Sequence, residues 1–175
     1  AVKNWARFLD MGQGESNDNI LFARENTTNN LIFQSWGGGT GGSYVRATGA
    51  IELNKWQFFA VTIDTSGNVT LYKNGTSVAT GTSTWPWAVT RTNNYIGKSN
   101  WSADSYYQGY MDDIRVYNYA MSASQIALLS IPPSFTNDPI INTDGIELKP
   151  YAAQSLDNFI DAGQGDAILL KSPGG

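Results

Sequence analysis

The sequence predicts an all-β protein made of antiparallel strands, and three observations carry that prediction. Within Trp56–Gly75, Phe59, Val61 and Ile63 alternate with Phe58, Ala60 and Thr62, the two-residue period of a strand whose successive side chains point to opposite faces. Asp64-Thr-Ser-Gly67-Asn68 interrupts the run with turn residues, and Val69–Lys73 resumes it before Asn74-Gly75, the dipeptide that most favours a tight hairpin. Eighteen glycines, with Asn and Thr crowded between the apolar runs, suit many short strands joined by tight turns. Both faces of the Phe58–Ile63 run are apolar. It is therefore expected at the centre of a sheet, with one face in a core and the other under loops or lining a groove.

The remaining segments follow the same grammar. Trp5–Met11 reads as a strand, Gly12–Asp18 as a polar loop, and Asn19–Arg24 and Asn30–Trp36 as a hairpin pair. Gly37-Gly-Gly-Thr-Gly-Gly42 reads as a loop or edge crossover. It is not a phosphate cradle, because no Gly-Lys-Ser/Thr and no helical pattern follow it. Tyr44–Thr48, Ser77–Thr80 and Asn93–Gly97 are short strands, and Pro86 keeps Trp85-Pro-Trp87 out of any central strand. Gln108–Tyr117 alternates Met111, Asp113, Arg115 and Tyr117 with Tyr110, Asp112, Ile114 and Val116. Ser122-Ala-Ser-Gln125 is a capping box that opens the one helical signal, a short helix near residues 122–130, and Pro132-Pro133 closes it.

Composition narrows the chemistry. The chain has no cysteine and no histidine, which removes disulfides, thiolate and imidazole nucleophile pairs and the usual zinc sites. Residues 1–131 hold nine Lys/Arg and nine Asp/Glu; residues 132–175 hold two and six, so the net charge of −4 lies in the tail. With no basic block, nucleic acid and anionic membranes are not expected as partners. No apolar run approaches the roughly 18–20 residues needed to cross a bilayer, so no membrane insertion is expected.

Four segments agree in order with one family. Trp56–Asp64, Val69–Gly75, Asn94–Ser99 and Gly109–Ile126 resemble the bacterial laminin-G-like domains of the concanavalin A-like lectin/glucanase group, and the match runs through nearly all of residues 4–130. The resemblance implies a jelly-roll sandwich of two antiparallel sheets over residues 1–131, secretion or surface display within a multi-domain bacterial protein, frequently a structural calcium ion, and binding of glycans or proteins rather than catalysis. The strands that precede Val2 in that family are expected to lie outside this sequence. Residues 132–175 resemble the start of an immunoglobulin- or cadherin-like repeat, an incomplete sandwich expected to stay free, to dock on the first domain or to be completed by further chain.

The functional expectation is a non-catalytic carbohydrate-binding module; the alternatives are an adhesive or structural spacer contacting protein, or an accessory domain of a polysaccharide-degrading enzyme whose catalytic part lies outside this chain. No catalytic residue is expected: Asp112-Asp113 is the one acidic pair on a strand, and neighbours on a strand point to opposite faces, so the two cannot flank one glycosidic bond. Trp85, Trp87, Trp101, Tyr106 and Tyr107, beside the polar Asn100 and Asp104, are the candidate glycan-binding residues. An aromatic face can stack on the apolar C–H face of a sugar ring while amides take its hydroxyls; the alternative is that these rings merely cover the ends of the sandwich. Trp5 and Trp56 are expected in the core, and Trp36 suits either role. For calcium, Asp10 and Asp18, flanking a loop with Glu15 and Asn17, together with Asp113, offer hard oxygen ligands; the alternative is a solvated turn.

Overall fold

The structure, a computed structural model, describes residues 3–131 and the backbone of residues 167–171. Among the described residues there are eleven strands and one helix. One sheet comprises β1 (Arg7–Gly12), β2 (Ile20–Arg24), β3 (Leu31–Gly37), β4 (Thr40–Gly41), β5 (Val45–Ala47) and β9 (Asn93–Ile96). Its order is β4-β3-β2-β1-β9, and β5 also pairs with β3. The other comprises β6 (Phe59–Ile63), β7 (Asn68–Lys73), β8 (Thr76–Thr82), β10 (Asp112–Tyr117) and β11 (Ala167–Lys171), in the order β10-β11-β6-β7-β8. All pairings are antiparallel, as the sequence predicts.

The core fills the space between the sheets. Phe8, Leu9, Phe22, Leu31 and Phe33 from the first sheet meet Phe59, Val61, Ile63, Val69 and Leu71 from the second. Full burial of each large apolar side chain contributes about 1.5–3 kcal/mol. The second face of β6 is also covered: Phe58, Ala60 and Tyr72 pack with Met121 and Ile126. Ile126 belongs to α1 (Ala123–Leu129), whose capping box forms as expected, with the Gln125 backbone N–H donating to Ser122 Oγ and the Ser122 N–H to Gln125 Oε1. The Asn74-Gly75 turn forms with both residues in the left-handed region, φ 48° and 79°, which glycine and asparagine tolerate best.

Two features differ from the sequence reading. The Gly37–Gly42 segment carries the short edge strand β4. Trp5 and Trp56 are not core residues; Trp56 is 47% exposed and Trp5 half-buried. Both stand outside the regular strands, where alternation does not dictate a face. The strand β11 lies between β10 and β6 and pairs along Ala167–Leu170 with β6, in line with docking on the first domain, one of the alternatives open for this part of the chain. The immunoglobulin-like continuation expected over 132–175 otherwise falls outside the described residues.

Candidate functional site

The first sheet has an outer face as well as a core face, and a β-bulge decides what lies on it. In β1, Arg7 pairs with Ala23 and Leu9 with Phe22, so Phe8 is the extra residue. A bulge inverts the alternation beyond it. Phe8 and Leu9, adjacent in sequence, both enter the core, while Arg7 and Asp10 emerge together on the outer face beside Leu21, Ala23 and Ile32.

There they form a buried ion network. Arg7, 4% exposed, donates through Nε to Asp10 Oδ2 at 3.3 Å, through Nη1 to the Trp5 carbonyl at 2.8 Å and through Nη2 to Asp104 Oδ2 at 2.8 Å. Its guanidinium carbon lies 5.8 Å from the Trp5 ring centroid and 5.3 Å from that of Trp101, within cation–π range of both. Asp10 is fully buried and accepts from Asn19 Nδ2 (3.0 Å), Asn100 N–H (3.0 Å) and Asn100 Nδ2 (2.9 Å), with Ser99 Oγ at 3.4 Å. Through these bonds Asp10 fixes the loop that carries Trp101 and Asp104.

A cleft of about 240 Å³ opens above this network, lined by Trp5, Arg7, Gln34, Trp36, Tyr44, Trp101 and Asp104 together with Ser16 and Leu21. Trp36 and Trp101 stand 6.0 Å apart at 52°, and Trp5 and Tyr44 6.0 Å apart at 32°. Trp36 is held in place: its indole N–H donates to Gln34 Oε1 at 3.1 Å, Gln34 Nε2 donates to the Gly42 carbonyl at 2.7 Å, and the ring lies against Gly41. A Cβ at Gly41 would approach Trp36 Cε2 to 2.8 Å, so glycine is needed for this packing.

Of the expected glycan-binding residues, Trp101 and Asp104 line this cleft, and Asn100 supports it through Asp10. The others lie elsewhere. Trp85 packs against the main core, and Trp87 lies over Gly38, where a Cβ would come 2.5 Å from its ring. Tyr106 is 68% exposed and lines neither cleft. Tyr107 packs 5.5 Å from Phe8, and burial pushes its phenol pKa up. It lines a second and larger cleft of about 790 Å³ between the sheets, walled by Phe8, Ile51, Phe59 and Met111 and rimmed by the exposed pair Trp56 and Tyr110.

A family model described as the concanavalin A-like lectin/glucanases superfamily, of the laminin-G type, matches residues 1–127. The chain belongs to this superfamily. No curated protein matches the chain. Among solved structures, the chain is similar to residues 221–444 of an S-layer domain-containing protein from Clostridium thermocellum, with 24% identity and a TM-score of 0.42 over 75% of this chain and 64% of that one.

In this laminin-G-like domain the three carboxylates expected to bind calcium do not come together. Asp10 lies on β1 and Asp113 on β10 in the opposite sheet. Asp18 accepts the Gly38 N–H at 2.8 Å, and Asp113 is paired with Arg115 at 2.7 Å. Every partner of the Asp10 carboxylate is an N–H or O–H donor, whereas calcium takes roughly six to eight oxygen ligands. Among the described residues no group of three or more Asp or Glu side chains could hold a metal ion. Asp10, Asp18 and Asp113 as they stand do not form one calcium site.

Proposed function

We propose that this laminin-G-like domain is a non-catalytic carbohydrate-binding module of a secreted or surface-displayed bacterial protein, and that it holds glycan in the Trp5–Trp36–Tyr44–Trp101 cleft. One observation carries the reading: four aromatic rings, none fully buried, surround a single cleft on the outer face of a sheet. Such rings offer an apolar plane to a sugar's C–H face, and the cleft supplies polar groups for its hydroxyls. At about 240 Å³ the cleft suits one ring of a chain lying across the sheet rather than an enclosed small molecule. Binding without hydrolysis fits the carboxylates: Asp10 is sealed under the network, which leaves Asp104 alone at the cleft, while glycoside hydrolysis needs two acidic groups flanking the bond.

The test is affinity electrophoresis of the full chain through gels containing soluble polysaccharides, with wild type compared to Trp101→Ala and Trp36→Ala. Retardation that is lost in both variants while their melting profiles stay cooperative supports the reading. Absence of retardation by any polysaccharide at millimolar sugar overturns it. The exposed Trp56–Tyr110 pair at the larger cleft favours a second reading, adhesion to protein, because exposed aromatic pairs are typical interface anchors. The variant Trp56→Ala/Tyr110→Ala separates the two: retardation that falls as far as in Trp101→Ala moves the site to the larger cleft.

A further inference from the structure

Resting on the glycan-binding reading, we infer that the cleft selects uncharged sugars and rejects uronate, sialylated or sulfated ones, and that Asp104 sets this selectivity. The inference follows from where the charge is spent. Among the described residues lining the cleft, Arg7 is the one cation; it is 4% exposed, and its charge is paired with Asp10 and Asp104 while Nη1 donates to the Trp5 carbonyl. One guanidinium therefore faces two carboxylates, and the network carries a formal charge of −1. Arg46, on the neighbouring strand β5, gives no free cation either, because its Nε donates to Glu25 at 2.7 Å.

Asp104 differs from Asp10 in position. It is 11% exposed and lines the cleft, whereas Asp10 is closed off. Its Oδ2 takes Arg7 Nη2 and Ser99 Oγ, and its Oδ1 accepts no hydrogen bond among the described residues. The indole N–H groups of Trp5 and Trp101 and the Tyr44 hydroxyl also have no hydrogen-bond partner among the described residues. With the Ser16 hydroxyl, which also lines it, the cleft holds one acceptor, two donors and two groups that can do either, a set that matches sugar hydroxyls. An anionic sugar substituent would meet a carboxylate with no spare cation to offset it, and like charges brought together in an interface are strongly disfavoured.

The experiment measures affinity of the full chain for matched pairs of polysaccharides with the same backbone, one neutral and one acidic, such as fully methyl-esterified against de-esterified polygalacturonate and dextran against dextran sulfate. For wild type the acidic member of each pair should bind at least about tenfold more weakly, the size expected of one uncompensated like-charge contact. Neutral binding should change by less than about twofold between low and high salt, since no ion pair to ligand is made. In Asp104→Asn the neutral-to-acidic ratio should narrow by about fivefold or more, whatever happens to absolute affinity. Arg7→Lys serves as a second variant, because it keeps the local charge balance and should leave the ratio where it was. Acidic members that bind as tightly as their neutral partners, in a manner lost in Trp101→Ala, would overturn the selectivity while keeping the site. If no polysaccharide binds, the glycan reading falls and takes this inference with it.

Discussion

Replacing Asp10 by alanine removes the centre of the outer-face network, and its cost can be worked from the bonds. Without this carboxylate, Arg7 at 4% exposure keeps Asp104 as its only carboxylate partner, and the Asn19 amide and the Asn100 backbone N–H lose their acceptor, while Asn100 Nδ2 keeps the Asn93 carbonyl. Deleting one partner of a buried ion pair costs about 3–5 kcal/mol. Each donor left without a partner costs about 1–3 kcal/mol where it stays buried. These terms overlap because they share one carboxylate, and the Asn100 loop can turn toward water, so the net loss expected is about 4–5 kcal/mol. For a domain of this size that lowers the melting midpoint by roughly 10–15 °C. Urea unfolding followed by tryptophan fluorescence measures it, since Trp5 and Trp101 flank Arg7 and report the same region. The double variant Arg7→Met/Asp10→Ala should lose about 1–3 kcal/mol less than the sum of the single variants, because removing both charges leaves neither stranded. A loss below about 1 kcal/mol for Asp10→Ala, the range of a surface substitution, would refute the reasoning: water would then be reaching the carboxylate in the native state.

Three further outcomes follow from other parts of the structure. Leu169→Pro places a residue without an N–H between Arg115 on β10 and Ala60 on β6; a proline in a central strand should cost about 3 kcal/mol or more, and an unchanged melting midpoint would show that β11 contributes nothing to the second sheet. Glu52, hydrogen-bonded to Lys55 and Lys73, has its pKa lowered from the ordinary 4.5 to about 2. Because the folded-state value is depressed, its contribution is complete above the ordinary value and is lost as pH falls from there through about 2. The difference in urea midpoint between wild type and Glu52→Gln should therefore shrink over that window, and a constant difference would contradict the pairing. Finally, adding calcium or chelating it should move the melting midpoint by less than about 2 °C, since Asp10 has no free lone pair and a bound ion would stabilise by mass action; a rise of several degrees would reveal an oxygen cage among other groups.

The architecture was legible because it rests on local signals. The alternation of Phe58–Ile63, the Asn74-Gly75 turn and the Ser122–Gln125 capping box each specify a conformation from a few adjacent residues, and each formed. The site was less legible because it is assembled from three strands and four connecting segments. Trp101 and Asp104 were visible as a polar aromatic loop, but their partners Trp5, Arg7, Gln34, Trp36 and Tyr44 come from separate segments. Trp5 reads as a core residue because it opens the predicted strand Trp5–Met11; its φ of 51° takes it out of that strand. Trp85 and Tyr107 share the composition of a binding loop, yet pack against the core, since an aromatic residue in a loop serves equally to close the end of a sandwich. The strand β11 carried no positional signal, because 35 residues separate it from Ile131 and strand pairing at that range leaves no mark in the sequence pattern.

The bulge that builds the site does have a sequence sign. Arg7-Phe8-Leu9-Asp10 sets two adjacent apolar residues between two opposite charges. In a regular strand Phe8 and Leu9 would face opposite sides, and so would Arg7 and Asp10, which would bury one charge among Phe22 and Phe59 without its partner. One extra residue resolves both conflicts at once, since it sends Phe8 and Leu9 inward and lets Arg7 and Asp10 meet outside. The same reasoning applies at β10, where Asp112-Asp113 separates Met111 from Ile114, both packed against the core although three residues apart. There the register shifts between Asp112 and Arg115, and Asp113 adopts a φ of 54° and pairs with Arg115. In both strands a break in alternation that looks like noise in a strand pattern is the feature that decides which face receives the charge, and in β1 that face carries the cleft.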